Sequence, residues 1–121
     1  MTAGLWGPGE TTESTVVTAI EGLPVHGLIT MKVLMSGEHM LLLELTYEAG
    51  AGAQPHVHDH ESHCYVVSGR MRATVSGESR ELGPGDACIH PAGVLHAMEA
   101  IEPSVVVEIK SPRPDPSRFL S

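Results

Sequence analysis

Polar and apolar positions alternate along most of this chain with a period of two. Residues 28–36 set Met31, Val33 and Met35 on one face, and residues 40–47 set Leu41, Leu43, Leu45 and Tyr47 on one face. Successive side chains of a strand point to opposite sides of its sheet, so this spacing predicts strands with one buried face. Residues 14–20 are β-branched and predict a further strand. In residues 104–110, Val105, Val107 and Ile109 alternate with Val106, Glu108 and Lys110, so the second face is mixed and brings a titratable group toward an interior. Turn signals separate these runs at Gly22 to Pro24, Ser36-Gly37, residues 48–55, residues 59–61, Ser76-Gly77, residues 83–86 and residues 91–93. No ten-residue helical period interrupts them. Short strands punctuated by Gly and Pro predict an all-β sandwich or barrel.

The two ends break the pattern. Residues 1–13 are rich in Gly and Thr without periodicity and predict a flexible arm, with Trp6 pinned against a neighbour. Residues 112–121 carry three prolines and cannot continue a central strand, so this tail is expected over a barrel mouth or along a partner. Residues 14–111 then form a single barrel, a size that buries a core without disulfides. Seven Lys and Arg against fifteen Asp and Glu give a formal charge of −8. That balance lacks the basic footprint of a nucleic-acid or anionic-membrane partner. Apolar runs such as residues 40–43 fall far short of a membrane span, and no basic segment leads into an apolar one, so a cytoplasmic location is expected. Cys64 and Cys88, each in an apolar strand-like run, read as buried free thiols. Arg70 and Arg72 would favour an anionic ligand if they faced a cavity, although i, i+2 arginines more often form a solvated face.

Chemistry concentrates in residues 56–63, where four histidines fall within eight positions. His56 and His58 stand at i and i+2, which on a strand projects both imidazoles to one side. His96 follows a Pro-Ala-Gly turn on a later strand-like segment. A third imidazole from there would complete a three-point cradle for one divalent transition metal ion such as zinc, nickel, iron or manganese, with open positions for water or substrate.

These residues resemble the two motifs of the cupin superfamily. Gly50, His56, His58 and Gly69 fall in the register of the first motif, and Gly85, Pro91, Gly93 and His96 in that of the second, with Ala100 where Asn is usual and fifteen residues between Gly69 and Gly85. The resemblance implies a double-stranded β-helix, a jelly-roll-like barrel with the metal inside one end. It also marks a departure, because the position of the usual Glu ligand is Ser62, flanked by Glu61 and His63. The fourth ligand is then water or a neighbour. With residue 62 facing inward as the resemblance implies, strand alternation turns Cys64 and Val66 inward too and His63 and Tyr65 outward, which leaves His63 as the second choice; His60 is expected in a turn, exposed or supporting a ligand.

Small single-domain cupins that linearise unsaturated uronates, and similar polyketide-cyclase-like cupins, carry an acidic residue in the last strand before a Ser-Pro tail. Glu108-Ile109-Lys110-Ser111-Pro112 resembles that segment, with Lys110 where those proteins have an aromatic residue. The expectation is a metal-dependent isomerase, lyase or cyclase acting on a small oxygenated molecule, with Glu108 or His90 moving the proton. Two alternatives stand beside it: a mononuclear non-haem iron dioxygenase and a non-catalytic ligand-binding cupin. Cupins of this size commonly pair through barrel-side strands, which implies a homodimer using the β-branched N-terminal strand.

Overall fold

Period-two runs become strands wherever one of their faces can be buried, and the computed structural model, which describes residues 4–120, contains eleven of them. In chain order they are β1 (Thr15–Val16), β2 (Ala19–Ile20), β3 (Leu23–Pro24), β4 (Ile29–Ser36), β5 (Leu41–Tyr47), β6 (Glu61–Ser68), β7 (Met71–Val75), β8 (Glu78–Leu82), β9 (Ala87–His90), β10 (His96–Ala100) and β11 (Ser104–Ser111). One helical turn, α1 (Pro116–Phe119), follows. Asp115 caps it by accepting from the Ser117 amide, and Pro116 sits at its start, where a missing N–H costs nothing.

Six strands form one antiparallel sheet in the order β1-β4-β5-β11-β6-β9, and β10-β7-β8 form a second. β2 and β3 make a separate hairpin. The inner faces of the two larger sheets meet in one core. Leu41, Leu43, Leu45 and Tyr47 supply it from β5, Cys64 and Val66 from β6, Val106 from β11, and Met71, Ala73, Met98 and Ala100 from the smaller sheet. The architecture is the all-β jelly roll of a double-stranded β-helix.

Turn chemistry fixes the registers. Glu21-Gly22 and Ser76-Gly77 each place two consecutive residues at positive φ, the geometry of the tight hairpin turn whose twist matches its strands. Gly69 also has positive φ, and a side chain there would collide with Pro103 and Ser104, so the β6–β7 corner admits only glycine.

Three expectations need adjustment. The run 14–20 is two short strands in different sheets, because the chain bends at Val17–Thr18 to bury Val17 and Ile20. Trp6 is 77% exposed and packs into no core, while the arm is tied down by Lys32, whose ammonium donates to the Gly9 carbonyl. In the proline-rich tail, Leu120 packs against the core and lines the cavity that holds the histidines. Among the described residues no helix is long and apolar enough to cross a membrane.

Candidate metal centre

His56 and His96 are brought together by backbone pairing. Each residue's N–H donates to the other's carbonyl, at 2.9 and 3.0 Å, so the two side chains leave the same face of a one-pair antiparallel bridge. Their ring centroids stand 4.3 Å apart. His58, two residues along, returns to that face and places its ring 4.7 Å from His56 and 5.0 Å from His96. All three are buried, and one ring nitrogen from each lies within 4.8 Å of the other two.

The donor set suits a divalent ion. His56 Nδ1–H donates to the Gln54 carbonyl at 2.7 Å, and His96 Nδ1–H donates to the Val94 carbonyl at 3.1 Å. A carbonyl can only accept, so both rings carry their proton on Nδ1 and keep the Nε2 lone pair for ligation. His58 Nδ1 lies 3.6 Å from a Glu21 carboxylate oxygen, an ionic contact longer than a hydrogen bond. Burial, more than any neighbouring charge, pushes all three imidazoles below their ordinary value, His96 down to about 3. Near neutral pH they are therefore neutral, the state in which imidazole binds a metal.

The opposite wall is charged. On the inner face, two cross-strand rows run over β9, β6 and β11: His90, Ser62 and Lys110 in one, Cys88, Cys64 and Glu108 in the other. Lys110 Nζ lies 3.0 Å from Glu108 Oε1 and donates to Ser62 Oγ at 2.7 Å, with all three groups buried. Burial alone would raise the Glu108 carboxyl, but the Lys110 ammonium, and then His90, hold it below its ordinary value. His90 stacks on His96 with centroids 4.0 Å apart and rings 18° from parallel. Cys88 is pushed down to about 5, first by the hydrogen bond from Cys64 and, against its burial, by His90; Cys64 is pushed up correspondingly. The triad, His90, Glu108, Lys110, Tyr47 and Leu120 enclose a cavity of about 30 Å³, enough for an ion and its water.

The sequence candidates thus separate. His56, His58 and His96 converge, and His90 and Glu108 face the same cavity. His63 does not join them: its side chain is 62% exposed on the outer face of β6, held at 3.0 Å by Glu61, as strand parity requires. His60 is buried, stacked on His58 at 4.3 Å, so it supports a ligand and is not exposed. Arg70 and Arg72 point to solvent and pair with Glu81, which removes them from the cavity. Lys110 was missed as a site residue. Its signal was present in the alternation that also turned Glu108 inward.

The cupin-domain family matches residues 43–110, more than half of the chain. Of solved structures, KdgF from Halomonas sp. is 28% identical, with 93% of this chain and 98% of that chain covered at a TM-score of 0.81. An RmlC-like cupin from Shewanella frigidimarina is 23% identical, covering 91% of this chain and 92% of that one at a TM-score of 0.79. The polyketide cyclase RemF from Streptomyces resistomycificus is 22% identical, covering 88% and 78% at a TM-score of 0.73. The last two show likeness of fold alone. In sequence, the mannose-1-phosphate guanylyltransferase ManC of Salmonella typhimurium is 32% identical over 65 residues, which are 53% of this chain and 14% of that protein. With two histidine-bearing segments meeting inside a β-walled cup, and the matched region running from β5 through nearly all of β11, the chain belongs to the cupin family.

Proposed function

We propose that this cupin is a metal-dependent enzyme catalysing proton transfer on a small oxygenated organic molecule, in an isomerase, lyase or cyclase sense. The observation that carries the reading is three neutral imidazoles, two of them oriented through Nδ1, facing an ionised Glu108 across one small cavity. His56, His58 and His96 would hold the ion. Bound there, a divalent cation polarises a carbonyl or hydroxyl oxygen and lowers the pKa of water.

The chain's own groups do the rest. Glu108 takes a proton from the substrate and returns it, and the Lys110 ammonium at 3.0 Å keeps the carboxylate ionised between turnovers. Ser62 occupies the place of the usual carboxylate ligand and accepts from Lys110, so this wall adds no anion to the ion's own shell. His90, flat against His96, positions that ring. Leu43, Leu45, Met98 and Leu120 line the same cavity and exclude bulk water.

A cavity of about 30 Å³ admits no organic substrate, so its lining must open when one binds. A second cleft, of about 420 Å³, would offer the room. It is lined by Glu21, Asp59, His60 and Arg113, two of which contact His58. Unsaturated uronates, the substrates of the cupins that the last strand resembles, are the first compounds to try. Glu108→Gln should cut their turnover by about 10²- to 10⁴-fold with metal content unchanged. Unchanged turnover would remove Glu108 from the mechanism, and oxygen uptake by the iron-loaded protein would replace this reading with a dioxygenase.

For assembly we propose a homodimer formed by the outer face of the large sheet. Tyr65, Val67, Ile89 and Ile109 are exposed there, and the register sets Ile109, His63 and Ile89 in one row beside Val107, Tyr65 and Ala87 in the next. An exposed patch of this kind, apolar around His63, can meet its own copy about a two-fold axis. The N-terminal strand, only two residues at the sheet edge, offers far less. Light scattering that finds a monomer at micromolar concentration would overturn the pairing.

A further inference from the structure

Among the described residues, one other cluster has metal-ligand chemistry. Cys64 and Cys88 stand directly opposite each other on β6 and β9, both free thiols. His90, two residues beyond Cys88, returns to the same face and sets its ring against both sulfurs. Nδ1 lies 3.6 Å from Cys64 Sγ, and Nε2 lies 3.7 Å from Cys88 Sγ. One donor atom from each of the three lies within 4.8 Å of the other two, and none belongs to the histidine triad.

We infer that Cys64, Cys88 and His90 form a second metal site, suited to a soft d10 ion such as Zn(II) or Cu(I). Two ligands on one tetrahedral zinc, with sulfur at about 2.3 Å and nitrogen at about 2.1 Å, stand roughly 3.6 Å apart, and each nitrogen of His90 already has one sulfur at about that distance. Only one nitrogen of His90 can ligate, so the second sulfur closes in from within 4.8 Å, leaving a fourth position to water. Thiolates select against magnesium and calcium and in favour of zinc and copper(I).

Charge points the same way. Glu108 on β11 stands directly opposite Cys64 on β6, so this row already holds a carboxylate, itself paired with Lys110. Two thiolates added to it without a cation would be costly in a buried wall, whereas a divalent ion neutralises them. Because His90 stacks on His96 at 4.0 Å, ligation there would also fix the platform behind one ligand of the triad. The inference does not rest on the proposed catalysis and requires only the observed cluster.

Anaerobic titration of the reduced full-length protein with Co(II), with bound Zn(II) counted in parallel by equilibrium dialysis, tests it. Two equivalents should bind, one of them bringing the near-ultraviolet sulfur-to-cobalt charge-transfer band. Cys64→Ser/Cys88→Ser should lose that band and one equivalent, and His56→Ala/His58→Ala should lose the other equivalent and keep the band. If the double serine variant does not fold, the wild-type spectrum and Cys88→Ser alone carry the test. A single equivalent with no charge-transfer band, abolished by His56→Ala/His58→Ala, would overturn the second site and leave the triad standing. No cobalt uptake at all would sink both.

Discussion

The two inner walls of this barrel solve the same problem in opposite ways. The wall built by His56, His58 and His96 keeps buried polar groups neutral and orients two of them with backbone carbonyls. The wall built by β6 and β11 buries a full ion pair, Glu108 and Lys110, and closes it with Ser62. A neutral wall is cheap to bury and ready to receive a cation. A charged one is stable only while both partners are present, which is the cost of keeping an ionised carboxylate in an apolar cup.

The largest effect should come from splitting the pair. Lys110→Met leaves Glu108 buried without its cation and should destabilise the fold by about 3–5 kcal/mol, read by urea unfolding at neutral pH. Glu108→Gln/Lys110→Met removes both charges and should recover most of the loss. If the single and double variants were equally stable, the pair would be no more than two adjacent charges, and the contrast between the walls would collapse. Removing one imidazole acts on binding instead. His96→Ala should weaken zinc affinity by more than about 100-fold in a chelator competition, since loss of even a supporting partner costs 10- to 100-fold. Its unfolding midpoint without metal should move far less than that of Lys110→Met.

How far each wall could be read in the sequence follows from the same difference. Ligand spacing is local: His56-Val57-His58 and the Pro-Ala-Gly turn before His96 carry their geometry in the chain itself, and strand parity, once the motif sets Ser62 inward, places Cys64 and Val66 inside and His63 outside. The charged wall is a property of register between strands distant in sequence. Lys110 meets Ser62, and Cys64 meets Cys88, only because β11 and β9 flank β6. A lone Lys on a mixed strand reads as a surface charge until that pairing is known. The sequence leaves His60 open between an exposed and a supporting role for a related reason: it stacks on His58 at a strand entry, where neither period two nor turn chemistry predicts the face.

pH distinguishes the walls next. Burial holds His96 down to about 3 and His60 down to about 4, and it lowers His56 and His58 as well. An unfolded imidazole titrates near 6.5, so below that pH the unfolded chain takes up protons that the folded chain refuses, and stability falls with pH by about 1.4 kcal/mol per unit for each such ring. Glu108, depressed from its ordinary value of 4.5, adds its own loss only below that value. Urea unfolding of the metal-free protein should therefore weaken steadily from pH 6.5 to 4.5 through these imidazoles, with Cys88, held down to about 5, adding a loss of the same sign above that value. A flat profile would mean that the imidazoles are already protonated in the fold.

The smallest effect sharpens the comparison most economically. His63 is adjacent to Ser62 yet lies on the other side of β6, exposed and paired only with Glu61. His63→Ala should leave zinc affinity unchanged and shift stability by no more than about 0.5 kcal/mol, the usual worth of an exposed pair. Side chains on a strand change face with every residue, so a one-residue slip of β6 would carry His63 inward and Ser62 and Cys64 outward together. Loss of metal in His63→Ala would reveal that slip: Lys110 would lose its hydroxyl partner, Cys64 would part from Cys88, and the charged wall would not exist in solution.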